Sequence, residues 1–403
     1  MRRSRLVLAL VLASCVRVAH AGALAPETAR AVEDVLACER ADGGWTYVCE
    51  PPSGPHGAAT SIVQHATRVA RFLGRADWDL LVLRSPGTPA AGLVLLEAYR
   101  ASGEPRALAA ARRAGDVLVA TQLSSGGWAS EMPVHGARLA WWFRLLNRWT
   151  ALDDDVTSGG ARFLAELYEV TGDLRHRAAA ERAYDLLLAA QLPEGGWPLT
   201  WREPRWLRFV SPSFEDLPST NDAATSGPIE ALLVGARVLE RPDLLAAAER
   251  GGEWLLRVQG PARQAAWAQQ YEPSGAPAPG RRFEPAGYAA WESREMLDAL
   301  LALARATGER RWCGAVPGAV AWFARSAIAP GCWARLYATG DNRPLFVGRD
   351  GRIVPTAAEA KRPYKWTGDF GIPALLASLR LDEHGAPLAR GEPLPPRRIP
   401  GDA

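Results

Sequence analysis

Lysine is almost missing from this chain: of 47 basic side chains only Lys361 and Lys365 are not arginine. Acidic and basic residues nearly balance, no block of one sign occurs, and the net charge is +3, so no basic field points to nucleic acid. Beyond the first residues there is no apolar run long enough to span a membrane. Histidine and cysteine never fall at zinc-ligand spacing. What remains is a 403-residue chain, nearly half apolar, that reads as one large globular repeat domain.

The opening MRRSRLVLALVLASC combines positive charge, an apolar stretch and small residues, and residues 1–21 read as a secretory signal. Two cleavage readings stand side by side. Leu12 to Cys15 has the form of a lipobox, which would leave Cys15 as a lipid anchor; Ala19-His20-Ala21 has the form of an ordinary signal-peptidase site. The expected destination is outside the cytoplasm: periplasmic, outer-membrane lipoprotein or secreted. With Cys15 set aside, Cys38 and Cys49 bracket a DGGW turn and Cys313 and Cys332 bracket a helix. Two local disulfides are expected in an exported chain, although four cysteines allow three pairings and free thiols are the alternative.

An internal repeat organises the rest. Gly103, Asp116, Gln122, Gly126, Gly127 and Trp128 recur sixty-nine positions later as Gly172, Asp185, Gln191, Gly195, Gly196 and Trp197. A third copy follows at sixty-eight: Ala178–Arg182 returns as Ala246–Arg250, Gln191 as Gln259 and Thr157-Ser158-Gly159 as Thr225-Ser226-Gly227, with Trp267 left near the place of a decayed GGW. Apolar spacing within each unit predicts an antiparallel helix pair. One pair cannot bury both faces, so pairs must stack, and the expected fold is all-α, an incomplete α/α toroid. In such hairpins the entry to helix one and the exit from helix two share an end, which places LDDDVTSG, TNDAATSG and the GGW loops on one functional rim.

Along the chain, residues 22–150 read as a helical extension, 151–380 as the catalytic part and 381–403 as a disordered tail. Asp153, Asp154 and Asp155 precede one helix and Asn221-Asp222 the next. Helix capping accounts for one such acid; adjacent copies on one rim suit a hard cation such as Ca²⁺. Downstream the rim segments are cationic, with Arg281-Arg282, Arg335, Arg343, Arg349 and Arg362 interleaved with Trp333, Tyr337 and Phe346. Such a field fits an anionic ligand with flat faces, as in a uronate polysaccharide.

QLPEGGWP, STND, WAQQYEP, RRFEP with a later WES, and WARLYATGDNRPLFVGRDG resemble, in that order, the motifs of the pectate lyases of polysaccharide lyase family ten. The resemblance covers about 152–368, with departures in GYAAWES and in Tyr364–Gly368. It implies an α/α toroid that cleaves polygalacturonate or a related uronate polymer by calcium-assisted β-elimination. It also implies calcium at Asp153 and Asp222, with Asp154 beside them, and a catalytic arginine base at Arg281, or Arg282 in the alternative register. It places Arg335 on the substrate, and Arg343, Arg349, Trp333 and Tyr337 are expected to line the same groove. An arginine base would need its pKa depressed by neighbouring positive charge, which the Arg281-Arg282 pair is expected to supply. A non-catalytic acidic-glycan binder and a hydrolase using an Asp/Glu pair are the competing readings.

Overall fold

The computed structural model describes residues 26–39, 43–45, 80–133 except 86, 149–381 except 205, 207, 208, 210 and 211, and 387–388. The secretory signal, Cys15, Cys49 and the connector at 134–148 lie outside the described residues, and no helix among those described is long and apolar enough to cross a membrane. Contacts divide the chain into two units, residues 1–189 with 201–205 and 237–240, and residues 190–200 with 206–236 and 241–403. The division falls at the end of the second helix pair.

The first unit holds α1 (Pro26–Ala37), α2 (Thr88–Ser102), α3 (Pro105–Thr121), α4 (Val156–Thr171) and most of α5 (Leu174–Ala190). Helix α2 packs on its partner α3 and on the next first helix, α4. The second unit holds most of α6 (Ser226–Val238), then α7 (Pro242–Val258), α8 (Ala290–Thr307), α9 (Val316–Ser326) and the short α10 (Ile372–Ser378). Four helix pairs are present among the described residues, three of them in the register of the repeat.

The repeated residues are the fasteners between pairs. Gln122 Nε2 donates to Gly126 O at 2.6 Å within its own loop and to Ala179 O at 2.8 Å on the next pair. Gln191 does the same to Gly195 O and Ala247 O, and Gln259 to Ala265 O and Ala315 O. Gly126 has φ +98° and a side chain there would meet Arg182 O at 2.3 Å, so the loop closes on the next helix only with glycine. Three of the turns end in a buried tryptophan whose indole N–H caps a helix carbonyl: Trp128 to Leu118 O, Trp267 to Leu255 O, Trp333 to Phe323 O. Its backbone N–H is received by a hydroxyl at the start of the following first helix, Thr157 for Trp128, Thr225 for Trp197 and Ser293 for Trp267.

Short strands, which the sequence pattern does not announce, stiffen the rim of the second unit. A five-stranded antiparallel sheet runs in the order 353–354, 344–347, 336–337, 288–289, 267–268. Arg380–Leu381 pairs with Pro387–Leu388 as an antiparallel ribbon. Cys313 and Cys332 are half-buried free thiols, which corrects the expected bridge between them.

Candidate functional site

The site of the second unit is assembled from the rim segments on either side of its helix pairs. Asn221 and Asp222 precede α6, Gln269 follows α7, Glu292 lies in the first turn of α8, and Arg335 follows α9. Their polar atoms converge. Gln269 Nε2 donates to Asn221 Oδ1 at 2.9 Å and Glu292 Oε1 at 2.8 Å, and Arg335 Nη2 meets the same Glu292 oxygen at 2.6 Å. Shared-rim geometry, inferred from hairpin topology, is what brings four distant segments together.

Asp222 is presented by a strained turn. It and Ala223 adopt φ +49° and +61°, a conformation that costs non-glycine residues roughly 1–3 kcal/mol each. The turn is held from below: Thr220 N and Asn221 N both donate to Gln269 O, and Thr220 Oγ1 donates to Ala268 O. The same local structure occurs in the first unit, where Asp154 and Asp155 have φ +50° and +55°. There Val156 N donates to Asp153 O at 3.0 Å, as Ala224 N donates to Asn221 O at 3.0 Å. Backbone register therefore equates Asp154 with Asp222 and Asp153 with Asn221, the pairing that the sixty-eight-residue offset also gives. Desolvation pushes the Asp155 carboxyl up, against the Ser158 hydroxyl that donates to it at 2.7 Å.

Around Asp222 stand two arginines. Arg281 Nη2 meets Asp222 Oδ2 at 2.8 Å and its Nε meets Glu284 Oε2 at 3.1 Å. Arg335, buried, lies 3.8 Å from Asp222 Oδ1 and is sandwiched between the rings of Trp291 and Tyr364, each 4.9 Å from its guanidinium carbon. Tyr364 O–H donates to Glu284 at 3.2 Å and accepts from Gln269. Beyond it, Phe283 packs edge-on at 5.1 Å and carries Lys361 Nζ over its face at 3.7 Å. On the other flank Lys365 Nζ sits 5.5 Å from the Trp291 ring. Cations and rings thus form a chain of contacts, Lys365, Trp291, Arg335, Tyr364, Phe283, Lys361, in which the two rings Tyr364 and Phe283 are adjacent.

Electrostatics separate these cations. Burial works to lower the pKa of Arg281, but Glu284 and Asp222 more than offset it and hold the guanidinium above its ordinary value. The depression expected from Arg282 is not what surrounds Arg281. Arg282 is exposed and lies along Gly351. Arg335 is likewise raised, burial being overcome by Glu292. Burial raises the Glu284 carboxyl, with Arg281 opposing. Lys361 moves the other way, lowered by burial and by Arg281.

Of the residues expected at the groove, Asp222, Arg281 and Arg335 come together. Asp153 and Asp154 belong to the first unit. Trp333 and Tyr337 are not ligand platforms: both are buried, the indole bonded to Phe323 O and the Tyr337 hydroxyl to Ser326 O at 2.5 Å. Arg343 is exposed and paired with Asp341 at 3.2 Å, and Arg349 is exposed. Glu284, Glu292, Gln269 and Tyr364 were carried inside motifs without being singled out. Register offered a signal for two of them, since Glu292 directly precedes Ser293, which matches Thr225, and Gln269 follows Trp267 by two. Glu292 Oε2, Arg335 Nε and Gln269 Oε1 are buried without a hydrogen-bond partner, a pattern that marks a place built to receive something polar.

A sequence model for pectic acid lyase matches residues 140–206, which include Asp153–Asp155 and stop short of Asp222. No curated protein matches the sequence. Among solved structures, a family 10 polysaccharide lyase from Cellvibrio cellulosa is similar at 20% identity and a TM-score of 0.53, over 66% of this chain and 90% of that one. A mutant of a family 10 polysaccharide lyase from the same organism, solved with trigalacturonic acid, gives 19%, 0.53, 66% and 91%. A D-mannose isomerase is similar at 15% identity and 0.52, over 77% of this chain and 74% of that one. At these identities the likeness is one of fold, and the fold class is the expected α/α toroid. The suspected resemblance to the family, as a divergent relative, stands on the sequence match and the fold together.

Proposed function

We propose that this chain is a polysaccharide lyase that cleaves polygalacturonate or a related uronate polymer by β-elimination. The observation that carries the reading is the convergence of Arg281 and Arg335 on Asp222 at a partly exposed mouth, above buried polar atoms left without partners. In β-elimination from a uronate, negative charge grows on an existing carboxylate as the neighbouring C–H bond breaks. Preorganised cations lower that barrier most where water is excluded. Arg281, partly exposed, offers a fork for the carboxylate, while Arg335, fixed by Glu292 and two rings, supplies positive potential from below. The sequence match to pectic acid lyase and the fold shared with family 10 lyases support the same chemistry.

Calcium belongs to this proposal. Asp222 is a hard oxygen donor of the right kind, but one of its oxygens accepts from both Arg281 and Asn221, and no group of three acids, histidines or cysteines able to hold a metal occurs among the described residues. The ion would therefore be completed by carboxylates of the substrate, Asp222 contributing the protein's share. When bound, it would neutralise the uronate carboxylate as a Lewis acid. Export, read from residues 1–21, suits a polymeric substrate. The deciding assay incubates the purified protein with polygalacturonate, alginate and glucuronan and follows unsaturated products in the ultraviolet. Appearance of these products from at least one polymer is expected; new reducing ends without unsaturation would indicate a hydrolase, and binding without cleavage a non-catalytic glycan binder.

A further inference from the structure

Resting on the lyase reading, we infer that Lys365 is the cation of a second uronate subsite. It binds the carboxylate of the sugar next to the one held by Arg281 and Arg335, and so selects adjacent unesterified uronates. Trp291 and Lys365 lie in the two stretches where the chain departs from the motifs it otherwise resembles, GYAAWES and Tyr364–Gly368. In the fold these departures meet. Lys365 Nζ lies over the Trp291 ring at 5.5 Å, and the same ring carries Arg335 at 4.9 Å.

Antiparallel pairing of Trp333 with Gly368 and of Ala334 with Thr367, continued by Arg335 N donating to Trp366 O at 2.7 Å, sets Tyr364 and Lys365 close to the arginine. These two consecutive residues then part. Tyr364 turns to Phe283, Gln269 and Glu284, on the flank of Arg281. Lys365 turns to Trp291 and to Phe370, whose ring is 5.2 Å from Nζ. Phe370 is buried in a left-handed turn, φ +48°, with its ring 5.6 Å from that of Trp291. Gly368 closes a third side, where an added Cβ would stand 2.7 Å from Lys365 Cε. The ammonium is therefore fixed in place although the residue is exposed.

No carboxylate of the protein accounts for that placement. Among the described residues Lys365 makes no ion pair or hydrogen bond through Nζ, only the two ring contacts. Asp369 accepts from Gly371 N at 3.3 Å instead, and Glu295 from the Trp291 indole at 2.5 Å. Ring contacts at an exposed site are weaker than the rotamer freedom that a fixed lysine gives up. Arginine stacks on rings better and fills every basic position of the chain except 361 and 365, so packing does not call for lysine here. A compact ammonium suits a single carboxylate, and the accessible part of Trp291 offers an apolar wall for the sugar ring. Each sugar of a uronate chain carries one carboxylate, so a cation on the flank away from Arg281 meets that of the next sugar.

The test measures initial rates of unsaturated product with the full chain, on whichever of polygalacturonate, alginate and glucuronan the wild type cleaves fastest. Lys365→Gln should raise KM roughly 10-fold, the loss expected for one charged contact, with kcat within about twofold and Tm unchanged. Lys365→Arg, which keeps the charge, should hold KM within about threefold of wild type. Randomly methyl-esterified samples of the same polymer add a readout that a structural role would not move. Wild-type kcat/KM should fall with the frequency of adjacent free carboxylates, the square of the free fraction, and that of Lys365→Gln with the free fraction itself. A KM for Lys365→Gln within about twofold of wild type, a fall in kcat with KM unchanged, or the same dependence on esterification in both proteins would overturn the subsite and leave the lyase reading intact. A wild type that forms no unsaturated product from any of the three polymers overturns the lyase reading, and the subsite with it.

Discussion

Glu292 and Arg335 form a buried ion pair at 2.6 Å, and at the scale of single residues this pair carries a large share of the site's energetics. Removing one partner of a buried pair leaves the other charge stranded, which typically costs about 3–5 kcal/mol. Glu292→Ala should therefore show that loss in denaturant melts; a change below about 1 kcal/mol would mean that Asp222 alone suffices to neutralise Arg335. Glu295, one turn beyond Trp291 and bonded to its indole N–H at 2.5 Å, is shifted by burial from 4.5 to about 7, with Arg294 opposing. Its folded pKa lies above the unfolded one, so the folded state holds an extra proton between these values. That stability is complete below about pH 4.5 and lost as pH rises through about 7, on the order of 3 kcal/mol in all. Glu295→Gln should flatten this part of the stability-pH curve, and an unchanged slope would assign it elsewhere.

At the scale of elements, the repeat was readable because its signature residues do the joining. Gly195 has φ +112° and approaches Arg250 O so closely that an added Cβ would stand 2.7 Å away, while Gln191 fastens its own loop to Ala247 O. Gly195→Ala should cost more than about 1 kcal/mol, since both backbone conformation and space forbid it. Gln191→Ala should cost roughly 1–3 kcal/mol through two carbonyls left without their donor, and thermal melts of both variants check the pair. Smaller losses in both would show that the helices hold without their fasteners. The fourth pair does not show as a repeat in the sequence, because serine replaces threonine at Ser293 and no GGW precedes Trp333. The rim sheet was illegible for a different reason: its strands are two to four residues long, too short for alternation to show. Asp222, Arg281 and Arg335 were readable from motifs, whereas the buried partners that fix them become visible only when four segments fold onto one rim. Trp333 and Tyr337 misled because an aromatic next to an arginine in sequence faces the core as readily as a groove.

At the scale of the whole molecule, a net charge of +3 over 403 residues is too small to hold a polyanion from a distance. Screening confines attraction to within about 8 Å at physiological ionic strength, so binding must arise from the local set of Arg281, Arg335, Lys361 and whatever cation joins them. Asp222 makes the last of these testable, because it is the one carboxylate of the cluster with appreciable exposure, its side chain 26% accessible against 2% for Glu284 and 0% for Glu292. If calcium bridges Asp222 to the substrate, excess chelator should reduce turnover to background, and added calcium should restore it where magnesium, smaller and reluctant to shed water, does not. Asp222→Asn keeps the size of the side chain but removes its charge. It should stay folded by circular dichroism, lose the calcium response and bind polygalacturonate more weakly as calcium is raised to saturation than the parent does. Full turnover in chelator would remove the ion from the mechanism and leave charge neutralisation to the arginines alone, with Asp222 acting only as the clamp that sets Arg281.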